Sequence, residues 1–184
     1  MKKLAWAAGA AALFAGMAAA PAQAQNWYVE GSAGITTQDS LDWGGGPYDM
    51  DNGWNAAVSV GTSMWSNWDL EGELSYDRME YSCCNPNNTH EYRLMANLTR
   101  NFTMGGFTPY VGAGLGLARV TYEPSNLQDT VAAYQLIGGL RVPLGSNWGI
   151  YGEYRYQNTF SDPKDGLEWE HHGNNFAFGV RMNM

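Results

Sequence analysis

Residues 175–184 read Asn-Phe-Ala-Phe-Gly-Val-Arg-Met-Asn-Met. Every second residue from Phe176 onward is large and apolar, whereas the residues between them are polar or small. Successive side chains of a β-strand point to opposite faces, so this stretch is predicted to be a strand with one apolar face. Seven more segments have the same period of two, at roughly 27–36, 53–64, 68–77, 91–100, 109–120, 131–142 and 148–157.

Residues 1–24 have the organisation of a signal peptide. Lys2-Lys3 precedes an Ala-rich apolar stretch at 4–20, and Ala22-Gln23-Ala24 supplies the small-x-small cleavage pattern. The stretch is short for a retained membrane helix. We therefore expect its removal, which leaves 25–184 as a single barrel domain.

The composition is acidic. The chain carries 10 Lys and Arg against 18 Asp and Glu, a net charge of −8 that becomes −10 without Lys2 and Lys3. Binding of nucleic acid requires clustered cations, so we expect no nucleic-acid partner. After the signal peptide no window approaches 18 continuous apolar residues, so the sequence predicts no membrane-spanning helix.

The connections between the segments alternate in length. Those after the second, fourth and sixth segments are short, around Ser66-Asn67, 104–106 and 145–147, whereas the others are longer and polar. Bacterial outer-membrane barrels combine tilted strands of about 9–11 residues with short periplasmic turns and long extracellular loops. The pattern therefore predicts an all-β fold, an eight-stranded antiparallel up-and-down transmembrane β-barrel.

Alternation alone leaves open which face points outward, since a soluble lipocalin-like barrel also alternates. Two features favour an apolar face toward lipid. Small residues crowd the polar register, as the narrow interior of eight strands requires: Ser32, Gly34, Ala57, Ser59, Gly61, Gly112, Gly114, Gly116, Gly139 and Gly179. Aromatic residues gather at both ends of the apolar register, as interfacial girdles do: Trp27, Trp65, Trp68 and Trp148, then Trp54, Tyr76, Tyr92, Tyr134, Tyr156 and Phe176. We expect an outer face without charge and without histidine.

With these features the chain resembles the small outer-membrane β-barrel family, the OmpA-like and opacity-protein group of Gram-negative bacteria. The resemblance rests on Trp27-Tyr28-Val29, on Thr-Pro-Tyr-Val-Gly-Ala-Gly-Leu-Gly at 108–116, and on Glu153-Tyr154-Arg155-Tyr156. It implies a porin-family surface antigen of the outer membrane, inserted by the assembly machinery and surrounded by lipid and lipopolysaccharide. Family members usually end in an aromatic residue, and this chain departs from them by ending in Met184.

The polar register also places four acidic and four basic residues inside the predicted barrel: Glu30, Glu71, Glu73, Glu153, Arg93, Arg141, Arg155 and Arg181. Buried charges persist when paired and hydrogen-bonded, so we predict a lumen ion-pair network. Glu30 and Arg181 fall at the same height on neighbouring strands, with Arg141 and Glu153 within two residues of that level. The network is either a structural plug or a gate to a narrow ion path, because eight strands leave no aqueous channel unless side chains move.

Cys83 and Cys84 are adjacent in the second long loop. Neighbouring Cα atoms lie about 3.8 Å apart, whereas a disulfide usually spans about 4.4–6.8 Å, so a bond between them is strained. A local disulfide is the working hypothesis, and intermolecular pairing and a redox role stay open beside it.

The histidines offer little chemistry. His90, His171 and His172 fall in or beside long loops, and adjacent histidines on an extended segment point apart, so we expect no metal site. Some eight-stranded barrels modify lipid A, and the deacylase among them uses a His-x-Ser pair on its lipid face. No His here is followed two residues later by Ser, so we expect no catalytic residues and no cofactor.

The sequence thus predicts a monomeric outer-membrane barrel with a structural or surface-interaction role. Its long loops at 39–51 and 162–170 are acidic, so an extracellular partner or cations that bridge lipopolysaccharide are candidate ligands. A narrow porin-like channel for ions or small solutes is the alternative function. A lipid A-modifying enzyme is the third.

Overall fold

The computed structural model describes residues 27–38, 41–43, 46–48, 53–80, 88–122, 127–160 and 173–184. The elements in these ranges are strands: β1 (Trp27–Gln38), β2 (Leu41–Trp43), β3 (Gly46–Tyr48), β4 (Gly53–Trp65), β5 (Trp68–Glu80), β6 (Asn88–Asn101), β7 (Thr108–Tyr122), β8 (Leu127–Pro143), β9 (Trp148–Thr159) and β10 (Gly173–Asn183). Within them no helix is long and apolar enough to cross a membrane. The signal peptide at 1–24 lies outside these ranges, so its removal and the domain start at residue 25 stay predictions.

Eight of the described strands close into one antiparallel barrel, in the order β1-β10-β9-β8-β7-β6-β5-β4. β1 pairs with β10 to complete the wall, with Glu30 directly opposite Arg181. A closed sheet has no free edge, so the wall satisfies its backbone hydrogen bonds without water. The predicted eight-stranded up-and-down barrel is confirmed.

A small two-stranded sheet lies within the first long connection. β2 and β3 pair antiparallel, with Leu41 opposite Tyr48, where the sequence predicts only a polar loop. Each of these strands has three residues. Such a short strand cannot display a period of two, so the signal that reveals the barrel strands is missing here.

The barrel strands extend beyond their predicted bounds, mostly at the long-loop end. β8 is the clearest case, because its 17 residues begin at Leu127, ahead of the predicted start at residue 131. An apolar band about 25 Å tall needs only about ten tilted residues. The hydrogen-bonded ladder therefore continues above the membrane, where side chains no longer alternate between apolar and polar.

The short-turn end is built from tight connections. β4 and β5 join through Ser66-Asn67, and Met104 bridges to Phe107 across the turn between β6 and β7. Within that turn Gly105 has a φ of 60°. This is the left-handed region that glycine enters without steric penalty, so the turn depends on Gly105.

The outer face is apolar at its middle. Leu115 is 62 % exposed and Phe178 is 78 % exposed, whereas the inward Ala177 is buried. Large exposed side chains at this height suit contact with lipid chains. The expectation of an outer face without charge is wrong at the ends, where Arg100 and Arg119 occupy the outward register. Long basic side chains near the end of a span reach the interface, so charge is tolerated there.

Candidate functional site: the barrel lumen

Three buried tyrosines line the lumen, and each lies opposite a glycine of the neighbouring strand. The register pairs are Tyr28 with Gly61, Tyr110 with Gly139, and Tyr151 with Gly179. A Cβ on any of these glycines would meet the tyrosine ring at 2.2–2.3 Å, far inside van der Waals contact. Each ring therefore occupies space that only a glycine leaves free.

Two acidic and two basic side chains form a cluster near the short-turn end, which we call the basal ring: Glu30, Asp69, Arg141 and Arg181. Nη1 of Arg181 lies 3.3 Å from Oε1 of Glu30 and 3.1 Å from Oδ2 of Asp69. Arg141 lies 3.2 Å from the same Glu30 oxygen through Nη2, and 3.9 Å from the same Asp69 oxygen through Nη1. Each cation thus meets both carboxylates, and the charges of the basal ring balance.

Each arginine of the basal ring also lies over a lumen tyrosine. The guanidinium carbon of Arg181 is 3.3 Å from the ring centroid of Tyr28, and that of Arg141 is 4.8 Å from the centroid of Tyr110. A cation is attracted to the face of an aromatic ring, and more strongly where water is excluded. The glycines opposite these tyrosines therefore position the basal ring indirectly.

Neutral side chains add hydrogen bonds to the basal ring. Nε of Arg181 donates to Oδ1 of Asn183 at 2.9 Å, and Nη1 of Arg141 donates to Oδ1 of Asn101 at 3.3 Å. Buried ions are tolerated when they are both paired and hydrogen-bonded. Both arginines of the basal ring are paired and hydrogen-bonded, and among the described residues only Nε of Arg141, of the buried nitrogens in the ring's guanidinium groups, is left without a hydrogen-bond partner.

Above the basal ring, Arg155 joins two carboxylates. Its Nη1 lies 2.8 Å from Oε1 of Glu73, and its Nε donates to Oε1 of Glu153 at 2.5 Å. The hydroxyl of Tyr110 donates to the other oxygen of Glu153 at 3.0 Å. Because Tyr110 also lies under Arg141, it links this middle layer to the basal ring.

A chain of amides runs through the middle of the lumen. Nδ2 of Asn97 donates to Glu71 at 3.1 Å and to Glu73 at 3.0 Å. Gln135 donates to Oδ1 of Asn97 at 2.8 Å, and Gln157 donates to Oε1 of Gln135 at 3.0 Å. These three amides are fully buried, and they are not among the predicted lumen residues. Their inward register was the available signal.

The long-loop end is filled less completely. It keeps a cavity of about 10 Å³, room for about one water molecule, which we call the upper pocket and which is lined by Thr36, Asp77, Met79, Glu91, Arg93, Gln157 and Gly173. Nη2 of Arg93 lies 2.9 Å from Oε1 of Glu91. Within the described part of the chain, Nε and Nη1 of Arg93 and Oδ2 of Asp77 have no hydrogen-bond partner.

The structure places all eight predicted charged residues in the lumen. The expected balance of four acids and four bases is wrong, because Asp69, Asp77 and Glu91 also point inward and are buried. The described residues therefore set seven carboxylates against four guanidinium groups. The inward direction of Asp69 and Asp77 could have been predicted from the alternation of the strand, since both are an even number of residues from Glu71 and Glu73.

The pairing partners also go beyond what adjacent strands suggest. Arg141 and Glu153 lie two residues apart in the register of β8 and β9. Arg141 nevertheless bonds across the lumen to Glu30 of β1, which is not a neighbour of β8. Glu153 bonds to Arg155 of its own strand. Contacts across a lumen depend on side-chain reach, which the register of neighbouring strands does not report.

His90 overturns the expectation of an outer face without histidine. It lies on β6 opposite Arg78, and its Nδ1 is 2.6 Å from the hydroxyl oxygen of Tyr76. Cys83 and Cys84 lie outside the described residues, as do the other histidines, so the disulfide stays a prediction. In the described ranges no group of three or more His, Cys, Asp or Glu is arranged to hold a metal ion.

A closed eight-stranded barrel with an apolar exterior, aromatic ends and a filled, charged lumen defines the class of outer-membrane β-barrels. Residues 8–183 match the family described as outer membrane protein beta-barrel domain. The chain belongs to this family. It is therefore a protein of the outer membrane, surrounded by lipid and lipopolysaccharide.

Solved structures from several bacteria have the same fold. The chain is 17 % identical to Neisserial surface protein A with a TM-score of 0.65, over 86 % of this chain and 97 % of that one. For outer membrane protein H of Pseudomonas aeruginosa the identity is 18 %, the TM-score 0.56 and the coverage 86 % and 99 %. The N-terminal barrel of OprF from Pseudomonas aeruginosa is 20 % identical with a TM-score of 0.52, over 88 % of this chain and 100 % of that one. No curated protein matches the chain.

Proposed function

We propose that this protein is a structural and surface-interaction barrel, monomeric and not an enzyme, whose lumen is closed by its own side chains. The observation that carries the proposal is the basal ring, in which Arg141 and Arg181 each contact both Glu30 and Asp69. A continuous path would require these four side chains to separate together. The assembly machinery and an extracellular partner of the long loops belong to the same proposal.

The energetics of buried ions support closure. Removing one partner of a buried ion pair typically destabilises a protein by about 3–5 kcal/mol, because the remaining charge is poorly solvated. Opening the basal ring would also take Arg181 away from the face of Tyr28. An open state is therefore rare, and the loops are the parts that meet partners.

The same contacts argue against catalysis. Carboxylates such as Glu73 and Glu153 are bonded to Arg155 inside the barrel, out of reach of a lipid substrate. On the outer face, His90 contacts the hydroxyl of Tyr76 and lies opposite Arg78 in the register, and neither residue is a nucleophile of the kind that lipid hydrolysis uses.

A narrow cation channel is the second candidate function. It is favoured by the acidic excess of the lumen, where seven carboxylates face four guanidinium groups among the described residues. The upper pocket gives water a place at the long-loop end, at about 10 Å³. Among the described residues, the basal ring and the buried layer of Arg155, Glu73 and Glu153 above it then stand between this pocket and the periplasm.

Planar lipid bilayers separate the two candidates. We expect the purified, refolded protein to give no steady conductance. A shift in gel mobility between unboiled and boiled samples serves as the control that the same preparation is folded. Current steps of constant size that favour cations would overturn the closed-lumen proposal and establish the channel.

Mass spectrometry of lipid A tests the absence of catalysis separately. We expect the lipid A of a Gram-negative host to keep its mass when the protein is overproduced. Loss of an acyl chain or gain of a palmitoyl group would show that the protein is an enzyme.

A further inference from the structure

Three basic side chains lie together on the outside of the barrel at its long-loop end. Arg78 of β5 is directly opposite His90 of β6, and Arg119 of β7 is opposite Tyr92, two residues further along β6. All three basic residues are half-buried. Their neighbours along the strands are buried on the lumen side, which fixes the outward direction of the three: Asp77, Met79, Glu91, Ala118 and Val120.

Aromatic rings form a platform beside these three side chains. The ring of Tyr76 lies 5.3 Å from that of Trp54, 4.9 Å from that of Tyr92 and 5.9 Å from that of His90, centroid to centroid. The hydroxyl of Tyr76 also holds His90 at Nδ1, at 2.6 Å. We call this surface the outer cationic patch, comprising Trp54, Tyr76, Arg78, His90, Tyr92 and Arg119.

The sign of the patch contrasts with the rest of the protein. The chain has a net charge of −8 and an acidic lumen. Among outward-facing strand residues whose side chains the structure describes, the ionised ones are Arg78, Arg100 and Arg119, and none is acidic. Two of these three arginines therefore gather at one place on one rim.

We propose that the outer cationic patch binds the phosphorylated head of lipopolysaccharide in the outer leaflet. Guanidinium groups recognise phosphate through paired, charge-assisted hydrogen bonds. Arg78 and Arg119 also interact with other groups of the chain, and a guanidinium has five N–H donors to divide between such partners and a phosphate. The exposed rings of Trp54 and Tyr92 lie where headgroup and acyl chains meet, and they pack against the ligand.

The location selects lipopolysaccharide among anionic lipids. The patch lies at the end of the long loops, which faces the outside of the cell. Lipopolysaccharide supplies phosphate groups in that leaflet. This assignment does not depend on whether the lumen conducts ions, so it stands or falls separately from the proposed function.

The chain offers a matched control at the opposite rim. Arg100 also faces outward, and its guanidinium carbon lies 5.6 Å from the ring of Trp68 and 5.5 Å from the ring of Phe102. It has the same residue type and aromatic surroundings as the patch, at the periplasmic end. A general attraction between arginine and anionic lipid would act there equally.

Native mass spectrometry of the refolded protein with bisphosphorylated lipid A tests the proposal. We expect the wild type to retain one lipid A. The double variant Arg78→Gln/Arg119→Gln should bind at least about tenfold more weakly, since one charge-assisted hydrogen bond already contributes that factor. Arg100→Gln should bind like the wild type. Equal binding by the double variant, or an equal loss in Arg100→Gln, would overturn the proposal.

A second comparison needs only the wild type, so it decides the question if the double variant does not fold. Dephosphorylated lipid A should bind at least about tenfold more weakly than the bisphosphorylated form. Phosphatidylglycerol at the same concentration should not displace lipid A. Undiminished binding without phosphate contradicts the role of the arginines, and displacement by phosphatidylglycerol contradicts the assignment to lipopolysaccharide.

Discussion

The two ends of the lumen are filled in different ways. The basal ring balances two carboxylates with two guanidinium groups at 3.1–3.9 Å, and both arginines lie over tyrosine rings. In the described residues of the upper pocket, Arg93 pairs with Glu91 at 2.9 Å, Asp77 accepts hydrogen bonds from Thr36 and Asn175, and a cavity of about 10 Å³ remains. Several polar atoms of Asp77 and Arg93 have no hydrogen-bond partner among the described residues.

This difference locates the barrier. Charges that each meet two opposite charges resist separation, even though Nε of Arg141 has no hydrogen-bond partner among the described residues, whereas polar atoms beside a cavity can take up water instead. The short-turn end therefore closes the lumen, and the long-loop end is its wetter side. Variants at the short-turn end should therefore lose more stability than variants at the long-loop end.

Removing a cation from the basal ring should have the largest effect. Arg181→Ala leaves Glu30 and Asp69 short of a partner, so we expect a loss of about 3–5 kcal/mol in the free energy of unfolding. Arg93→Ala at the upper pocket should lose less than half as much, because water can enter beside Glu91. Urea unfolding in lipid vesicles measures both, and equal losses would mean that the two ends are equivalent.

The next effect comes from the glycine that supports the basal ring. Gly61→Ala places a Cβ 2.2 Å from the ring of Tyr28, and Arg181 lies over the face of that ring. We therefore expect a loss of about 1–3 kcal/mol in the free energy of unfolding. Gly138→Ala is the control, because a Cβ there meets nothing within 4 Å and should change stability by no more than about 0.5 kcal/mol. If Gly61→Ala leaves the stability unchanged, Tyr28 does not hold the basal ring in place.

A double-mutant cycle isolates the coupling within the ring. Glu30→Gln and Arg181→Ala together should destabilise less than the sum of the two, with a coupling of about 0.5–3 kcal/mol. Glu30→Gln combined with Arg93→Ala, at the other end, should be additive within about 0.5 kcal/mol. Coupling of similar size in both cycles would erase the distinction between the two ends.

The smallest effect is expected in the upper pocket. Asp77→Asn keeps an oxygen that accepts from Thr36 and Asn175, now 3.1 Å and 2.9 Å from the carboxylate. It removes a buried charge whose second oxygen has no described partner. Stability should therefore change by less than about 1 kcal/mol. A larger loss in the same unfolding assay would show that this end is as tightly bonded as the basal ring.

The barrel could be predicted from the sequence because three independent features indicate the same geometry. They are the alternation of apolar and polar residues, the alternation of short and long connections, and the aromatic residues at both ends of the strands. The register even sets Glu30 opposite Arg181, since both are counted from the same end. The hairpin of β2 and β3 and the long-loop extensions could not be predicted. Neither lies within the apolar band that produces the alternating pattern.

The lumen was predictable only in part. Parity assigns charged residues to the interior, and it would also have assigned Asp69 and the three tyrosines. Contacts across the lumen, such as Arg141 with Glu30, join strands that are not neighbours. These contacts depend on the shear of the barrel and on side-chain rotamers, and the residue pattern determines neither.

The most direct test of the closed lumen is conductance after the basal ring is opened. Planar bilayers would compare the wild type, Arg141→Ala/Arg181→Ala and Arg93→Ala, each shown to be folded by its gel shift. We expect cation-selective current from the double variant alone, because it removes both cations of the most fully paired layer and lets water enter below Arg155, while the acidic lumen remains. A folded double variant that stays silent, or an Arg93→Ala that conducts, would contradict the assignment of the barrier to the basal ring.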